Sequence, residues 1–191
     1  MASPHDAARR TAMAAFAALP LGGLAQTGAR GAGARTLVAY FSRSGNTRVV
    51  AGLIQRTRRT DLFEIVPAAP YPDDYLETVA QARSERDRGF EPALAGKAAD
   101  LAACDTLFLG FPIWGETAPP VIRSFLSAHD LSGKTLVPFI THGGYGPGKS
   151  RAVLVSHAPR ANLREGFVME MDQERRTIER VMRWLGEVPG A

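Results

Sequence analysis

The sequence has a single cysteine, Cys104, so no intramolecular disulfide can form and a cysteine-rich metal site is excluded. Cys104 stands just before an apolar run and reads as a small buried thiol rather than a nucleophile. No apolar run is long enough to span a bilayer as a helix, which takes about 20 residues. The nearest approach, 11–25, is interrupted by Pro20, Gly22 and Gly23. No charge excess marks the body of the chain. Of 23 basic and 19 acidic residues, Arg9, Arg10, Arg30, Arg35 and Asp6 fall in the first 35, leaving 19 against 18. A basic stripe for nucleic acid is therefore missing, and the scattered arginines read as solvated faces. There is no internal repeat, and no linker after residue 35. With 191 residues and 45% hydrophobic composition, the chain suits one domain with a sizeable core.

What is present falls into two parts, 1–35 and 36–191. Arg9-Arg10 precedes an uncharged, mildly apolar stretch to Ala25, then a Gly/Ala-rich segment to Arg35. A positive start, an apolar stretch and small residues after it describe a secretory signal, with cleavage candidates at 23–25 and 32–34. The paired arginines suggest the twin-arginine route, although Thr11-Ala12-Met13 lacks the usual Phe-Leu. The expected destination is the periplasm, or export more generally. A disordered leader on a cytoplasmic protein is the alternative.

From Thr36 onward, apolar strands alternate with helical patterns. Strands are expected at 36–41, 62–66, 106–111, 136–141 and 167–169. Helices are expected at 47–58, 73–87 (an exposed one), from Val121 to Leu126, at 149–158, and along Ile178, Val181, Met182 and Leu185. Pro138 inside the fourth strand removes a ladder donor and implies a bulge or a local edge. Near-continuous apolar strands joined by helices imply a parallel α/β sheet, doubly wound and covered on both faces in three layers. Ligands of such sheets sit beyond the carboxyl ends of the strands.

The loop after the first strand, Ser42-Arg43-Ser44-Gly45-Asn46-Thr47, carries three hydroxyls at a helix N-terminus. Unpaired amides and the helix dipole suit a phosphate there, and Gly45 permits close backbone approach. Ser44 or Asn46 capping the helix, with nothing bound, is an equal alternative on this loop alone. Gly143 to Ser150 matches G-x-x-x-x-G-K-S and follows a strand, as a nucleotide P-loop does. No later strand supplies an aspartate for Mg²⁺, and Pro147 removes a donor from the loop. Lys149 therefore reads as a surface residue.

Residues 40–47 resemble the FMN phosphate loop of flavodoxins. Gly110 to Glu116, with Pro112, Ile113, Trp114 and Gly115, resembles the loop after strand three of that family. Thr141, His142, Gly143, Gly144, Tyr145 and Gly146 resemble the loop after strand four. The resemblance spans about residues 36–186 and implies a five-stranded sheet of order 2-1-3-4-5 and one non-covalent FMN. It implies that Trp114 stacks on the isoalloxazine and disfavours the fully reduced anion. The Gly115 peptide would present its carbonyl to flavin N5–H after one-electron reduction, a flip that suits a residue without Cβ. Glu116 either adds negative charge near the ring or stands solvated. Tyr145 would cover the outer face, and the glycines of 143–146 would bring amides to the pyrimidine edge, with His142 as a contact. The implied partners are FMN and either an unidentified redox protein or NAD(P)H.

Three functions follow: a flavodoxin-like electron carrier, an FMN-dependent NAD(P)H reductase of quinones or similar acceptors, and a flavin-free binding module. Carriers of this family are strongly acidic, which steers them to basic partners. The near-neutral body departs from that pattern and leaves room for a reductase. A protein loaded with FMN before export must cross the membrane folded, which the twin-arginine route permits. Replacing Arg9 and Arg10 with lysine is expected to abolish periplasmic holoprotein, read as flavin absorbance in cell fractions; unchanged export removes the twin-arginine assignment.

Overall fold

A computed structural model describes residues 35–171 and 174–188, without the side chains of 174–177. The expected leader lies outside the described residues. The strands are β1 (Thr36–Tyr40), β2 (Asp61–Glu64), β3 (Thr106–Pro112), β4 (Thr135–His142), β5 (Asn162–Leu163) and β6 (Phe167–Glu170). The helices are α1 (Asn46–Arg58), α2 (Tyr75–Asp87), α3 (Pro120–Ser127), α4 (Ser150–His157) and α5 (Glu174–Glu187), with a 3₁₀ turn at Ala99–Ala103.

All pairings in the sheet are parallel, in the order β2-β1-β3-β4-β5, with β6 also on β4. The single fifth strand expected at 167–169 is thus two short pieces on one edge. β5 pairs Thr135 and Leu136, and β6 pairs Phe139 to His142. Between them, Val137 and Pro138 have no ladder partner on that side. Pro138 has no N–H to give, so the edge opens where the donor is missing. Gly166 crosses the gap so closely that a Cβ there would come within 2.4 Å of the Pro138 carbonyl oxygen.

Strand alternation sends two apolar sets to opposite faces. Leu37, Ala39, Leu107, Leu109 and Phe111 meet Val121, Ile122 and Phe125 of α3 and Leu154 of α4. Val38, Tyr40, Phe108, Val137 and Phe139 meet Val50 and Ile54 of α1 and Val181 and Leu185 of α5. Both faces of the central strands are therefore dry, which is why β1 and β3 have no polar alternation to read.

Helix α2 is less exposed than its charge suggests. Asp74 caps it by accepting from the Glu77 amide at 2.9 Å. Thr78, Ala82 and Glu85 are buried. The Glu85 carboxylate, 4% exposed, accepts from the Tyr71 hydroxyl and from Gln81 Nε2, each at 2.8 Å. Cys104 is buried and donates to the Asp100 carbonyl at 3.2 Å, and burial pushes its thiol pKa up, so it is a poor nucleophile. Among the described residues no helix is long and apolar enough to cross a membrane.

Gly110 pairs with Phe139, whose ring lies over it. A Cβ at Gly110 would sit 2.0 Å from that ring. Gly110→Ala is expected to destabilise the domain by about 1–3 kcal/mol through overpacking, seen as a lower urea midpoint; a neutral result would mean the ring moves freely.

Candidate functional site

Level strand starts put level strand ends at one rim. Thr36, Thr106 and Thr135 share a register position, as do Tyr40, Gly110 and Phe139. The ladder continues past the strands through Phe41 N–H to Gly110 O at 2.9 Å and Ile113 N–H to Thr141 O at 2.8 Å. The loops after β1, β3 and β4 therefore emerge side by side.

The first loop enters α1 through Gly45, at φ 95°, a left-handed position that favours glycine. No side chain caps the helix. Asn46 Nδ2 donates instead to the Ser44 hydroxyl at 3.1 Å and touches Met171 Sδ. Ser42 Oγ accepts the Gly45 amide at 3.1 Å. The amides of Asn46, Thr47 and Arg48 have no partner among the described residues. Of the two readings this loop allowed, internal capping by Ser44 or Asn46 is the one the structure does not show. Thr47 is 1% exposed and its hydroxyl bonds that of Thr141 at 2.8 Å, tying the start of α1 to the end of β4.

The second loop is a tight turn. Trp114 and Thr117 exchange backbone hydrogen bonds, and Gly115 and Glu116 between them both have positive φ, 55° and 67°. Two left-handed central residues make a type I′ geometry. The Trp114 indole is half-buried, its ring in edge contact with Phe41 at 5.2 Å and Tyr71 at 4.9 Å. That leaves it held in place and still lining a cleft.

In the third loop His142 organises the glycines. Its Nδ1 accepts the amides of Gly144 and Gly146 at 3.1 and 3.2 Å, so two of the three expected glycine amides turn inward. Tyr145 stands 89% exposed at the rim. The P-loop resemblance does not survive here. Besides those two amides, the Lys149 N–H goes to Glu116 O, and the buried Ser150 hydroxyl donates to Pro147 O at 2.6 Å, out of reach of a metal.

These loops bound a cleft of about 790 Å³. Of the residues singled out in the sequence, it is lined by Arg43, Ser44, Pro112, Ile113, Trp114, Gly115, Glu116, Thr141, His142, Gly143 and Tyr145. Ser42, Gly45, Asn46, Thr47, Gly144 and Gly146 are not among its lining residues and shape the loops that are. Arg43 reaches sideways, donating to the Asp73 carbonyl at 2.6 Å with its guanidinium 6.0 Å from the Tyr75 ring.

A whole wall was missed. Tyr75, Thr78, Val79, Ala82, Arg83 and Arg86 of α2 face the cleft, and Arg86 Nη1 donates to the Gly115 carbonyl at 3.2 Å. The signal was present: positions 75, 79, 82 and 86 follow helical spacing. The stripe mixes an aromatic, a valine, an alanine and an arginine, so it does not stand out among the charges of α2. The described residues contain no cluster of His, Cys, Asp or Glu able to hold a metal ion.

A family model described as flavodoxin matches residues 35–188. No curated protein matches the chain. Among solved structures, the chain is similar to a candidate flavoprotein from Bacteroides eggerthii, with 34% identity, a TM-score of 0.69, and 81% of this chain and 97% of that one covered. It is similar to a second candidate flavoprotein, from Bacteroides uniformis, with 32% identity, a TM-score of 0.71, and 81% and 99% covered. A flavoprotein in complex with FMN from Lactobacillus acidophilus shares the fold at 21% identity, with a TM-score of 0.61 and 76% and 99% covered.

Tyr71 braces the indole and the buried Glu85 together. Burial, and then the hydrogen bond to Glu85, push its phenol pKa well above the ordinary value. In the unfolded chain the phenol ionises near pH 10, roughly, while the native one stays protonated. The native state then holds more protons, so this contribution is intact below that pH and is lost as pH rises above it. Tyr71→Phe is expected to cost about 1.5–3 kcal/mol at neutral pH by stripping a donor from a buried carboxylate. It should also shrink the fall in urea midpoint between about pH 9 and 11; an undiminished fall would remove Tyr71 as its source.

Proposed function

The chain belongs to the flavodoxin family, and on that premise we propose that it binds one FMN in the cleft between Trp114, the start of α1 and the 142–146 loop, and works in electron transfer. The observation that carries this reading is the set of unpartnered amides at Asn46, Thr47 and Arg48, which follow directly in the chain on Ser44, a lining residue of a cleft fronted by a half-buried indole.

The residues fit the group. A phosphate against those amides gains about 0.3–1 kcal/mol from the helix dipole and about 1.5–3 kcal/mol per charge-assisted hydrogen bond. Several such bonds outweigh one lysine, so the loop needs none. A cleft of about 790 Å³ is ample for a flat tricyclic ring. Pro112 and Ile113 give it an apolar floor, Trp114 a stacking surface and the exposed Tyr145 an outer cover. FMN, when bound, supplies one- and two-electron chemistry that the side chains cannot.

The protein's own part is electrostatic. An indole face is electron-rich and disfavours added negative charge against it. Arg86 acts in the opposite sense: its guanidinium, 27% exposed, sits on the Gly115 carbonyl and lines the same cleft. Arg86 also holds the carbonyl that the family resemblance would offer to flavin N5–H, so reorientation of the Gly115 peptide must break that hydrogen bond. Glu116 beside it is a carboxylate of the same rim. The balance of these groups sets the potential, and the fold alone leaves carrier and NAD(P)H reductase equally served.

Titration of the apoprotein with FMN is expected to saturate at one per chain with quenching of tryptophan fluorescence; a preparation refractory to FMN removes the reading. Trp114→Ala should weaken FMN about tenfold, from loss of a stacking contact of about 1–3 kcal/mol, and raise the potential of the second one-electron step. Anaerobic addition of NADPH then separates the two roles, since rapid direct bleaching excludes a pure carrier.

A further inference from the structure

A second cleft, of about 580 Å³, shares Arg86, Gly115 and Glu116 with the first and is otherwise walled by Thr117, Arg123, Lys149 and His157 among others. Four of these residues are basic and one, Glu116, is acidic. Two of the basic groups are already engaged: Arg86 pairs with Asp87 at 3.0 Å, and His157 Nε2 lies 3.5 Å from Glu91. Arg123 and Lys149 form no ion pair among the described residues.

The cleft also gathers unmet polar groups. Arg123 Nε and Thr117 Oγ1 are both buried without a hydrogen-bond partner, and Thr117 is 5% exposed. Buried donors left unpaired are costly, and a native fold that keeps two of them at one cleft calls for a reason. An anion placed there would accept from the outer nitrogens of the Arg123 guanidinium, whose Nε is one of the unmet groups, and would neutralise Lys149 as well.

The rim common to the two clefts is Arg86, Gly115 and Glu116, and the Arg86 guanidinium lies over Gly115, so an elongated ligand that reaches both clefts crosses that cation. We propose that the Thr117–Arg123–Lys149 cleft binds the 2′-phosphate of a pyridine dinucleotide whose nicotinamide end passes over Arg86 into the cleft assigned above to FMN. This rests on the FMN reading for the second cleft's neighbour and makes a reductase the favoured form of the function. Two unpaired cations suit a dianionic phosphate better than a singly charged carboxylate. Glu116, on the rim, disfavours an anion that stops short of the cations.

The test uses the full FMN-loaded chain and isothermal titration with 2′,5′-ADP, which carries the nucleotide phosphates and no nicotinamide. Inorganic phosphate and 5′-AMP are titrated beside it. The expected result is saturable binding of 2′,5′-ADP, at least about tenfold tighter than either comparator, from charge-assisted contacts to its extra phosphate. Lys149→Ala, on an exposed loop, should weaken it about tenfold, and Arg123→Gln at least as much. Flavin absorbance should show FMN affinity unchanged in both variants. Absence of saturable binding, or full binding in the Lys149→Ala protein, overturns the proposal. Inorganic phosphate binding as tightly as 2′,5′-ADP overturns the nucleotide assignment. FMN occupancy is read on its own signal, so loss of the flavin reading and loss of this site are told apart.

Discussion

The register of three parallel strands is the constraint on which both clefts depend. Thr36, Thr106 and Thr135 start level, and the Thr47–Thr141 hydroxyl bond of 2.8 Å locks the far end of β4 to the first turn of α1. Both threonines are 1% exposed, so this bond lies in a dry environment where an unmade partner would be expensive. Its effect is to hold uncapped helix amides at a set height above the β3 loop. A shift of one residue in β4 would invert its faces and separate the 42–47 loop from the indole.

Around that frame the rim carries local strain of a specific kind. Glu116 has a side chain and yet sits at φ 67°, a region costing about 1–3 kcal/mol for a residue that is not glycine. Its surroundings hold it there. Trp114 and Thr117 close the turn, Lys149 N–H bonds the Glu116 carbonyl at 2.8 Å, and Gly148 lies so near that a Cβ would come within 2.1 Å of that oxygen. The loops after β3 and β4 are thereby one mechanical unit. Arg86 extends the unit to α2 through the Gly115 carbonyl.

Charge is distributed to match. The body of the chain is near neutral, and several arginines do lie on solvated faces: Arg48 pairs with Glu64 and Arg160 with Asp130 in exposed positions worth little to stability. Folding brings Arg86, Arg123, Lys149 and His157 to one cleft from α2, α3, a loop and α4. A net charge near zero therefore conceals a local basic field beside the proposed flavin, which is where a charged reactant would feel it.

By itself the sequence determined the alternation of strands and helices, the parallel covered sheet, and the three loops at strand ends, because apolar runs of fixed period and glycine–hydroxyl clusters are local signals. It also marked Pro138 as the point of β4 where a bulge or a local edge would fall, since a missing N–H is a property of one residue. It did not determine that the fifth strand is split, which depends on what lies opposite Pro138. Nor did it reveal the α2 wall, the inward turn of the Gly144 and Gly146 amides onto His142, or the meeting of Thr117, Arg123 and Lys149. Those were decided by tertiary packing, because groups distant in the chain become neighbours only after the sheet has chosen its order and register.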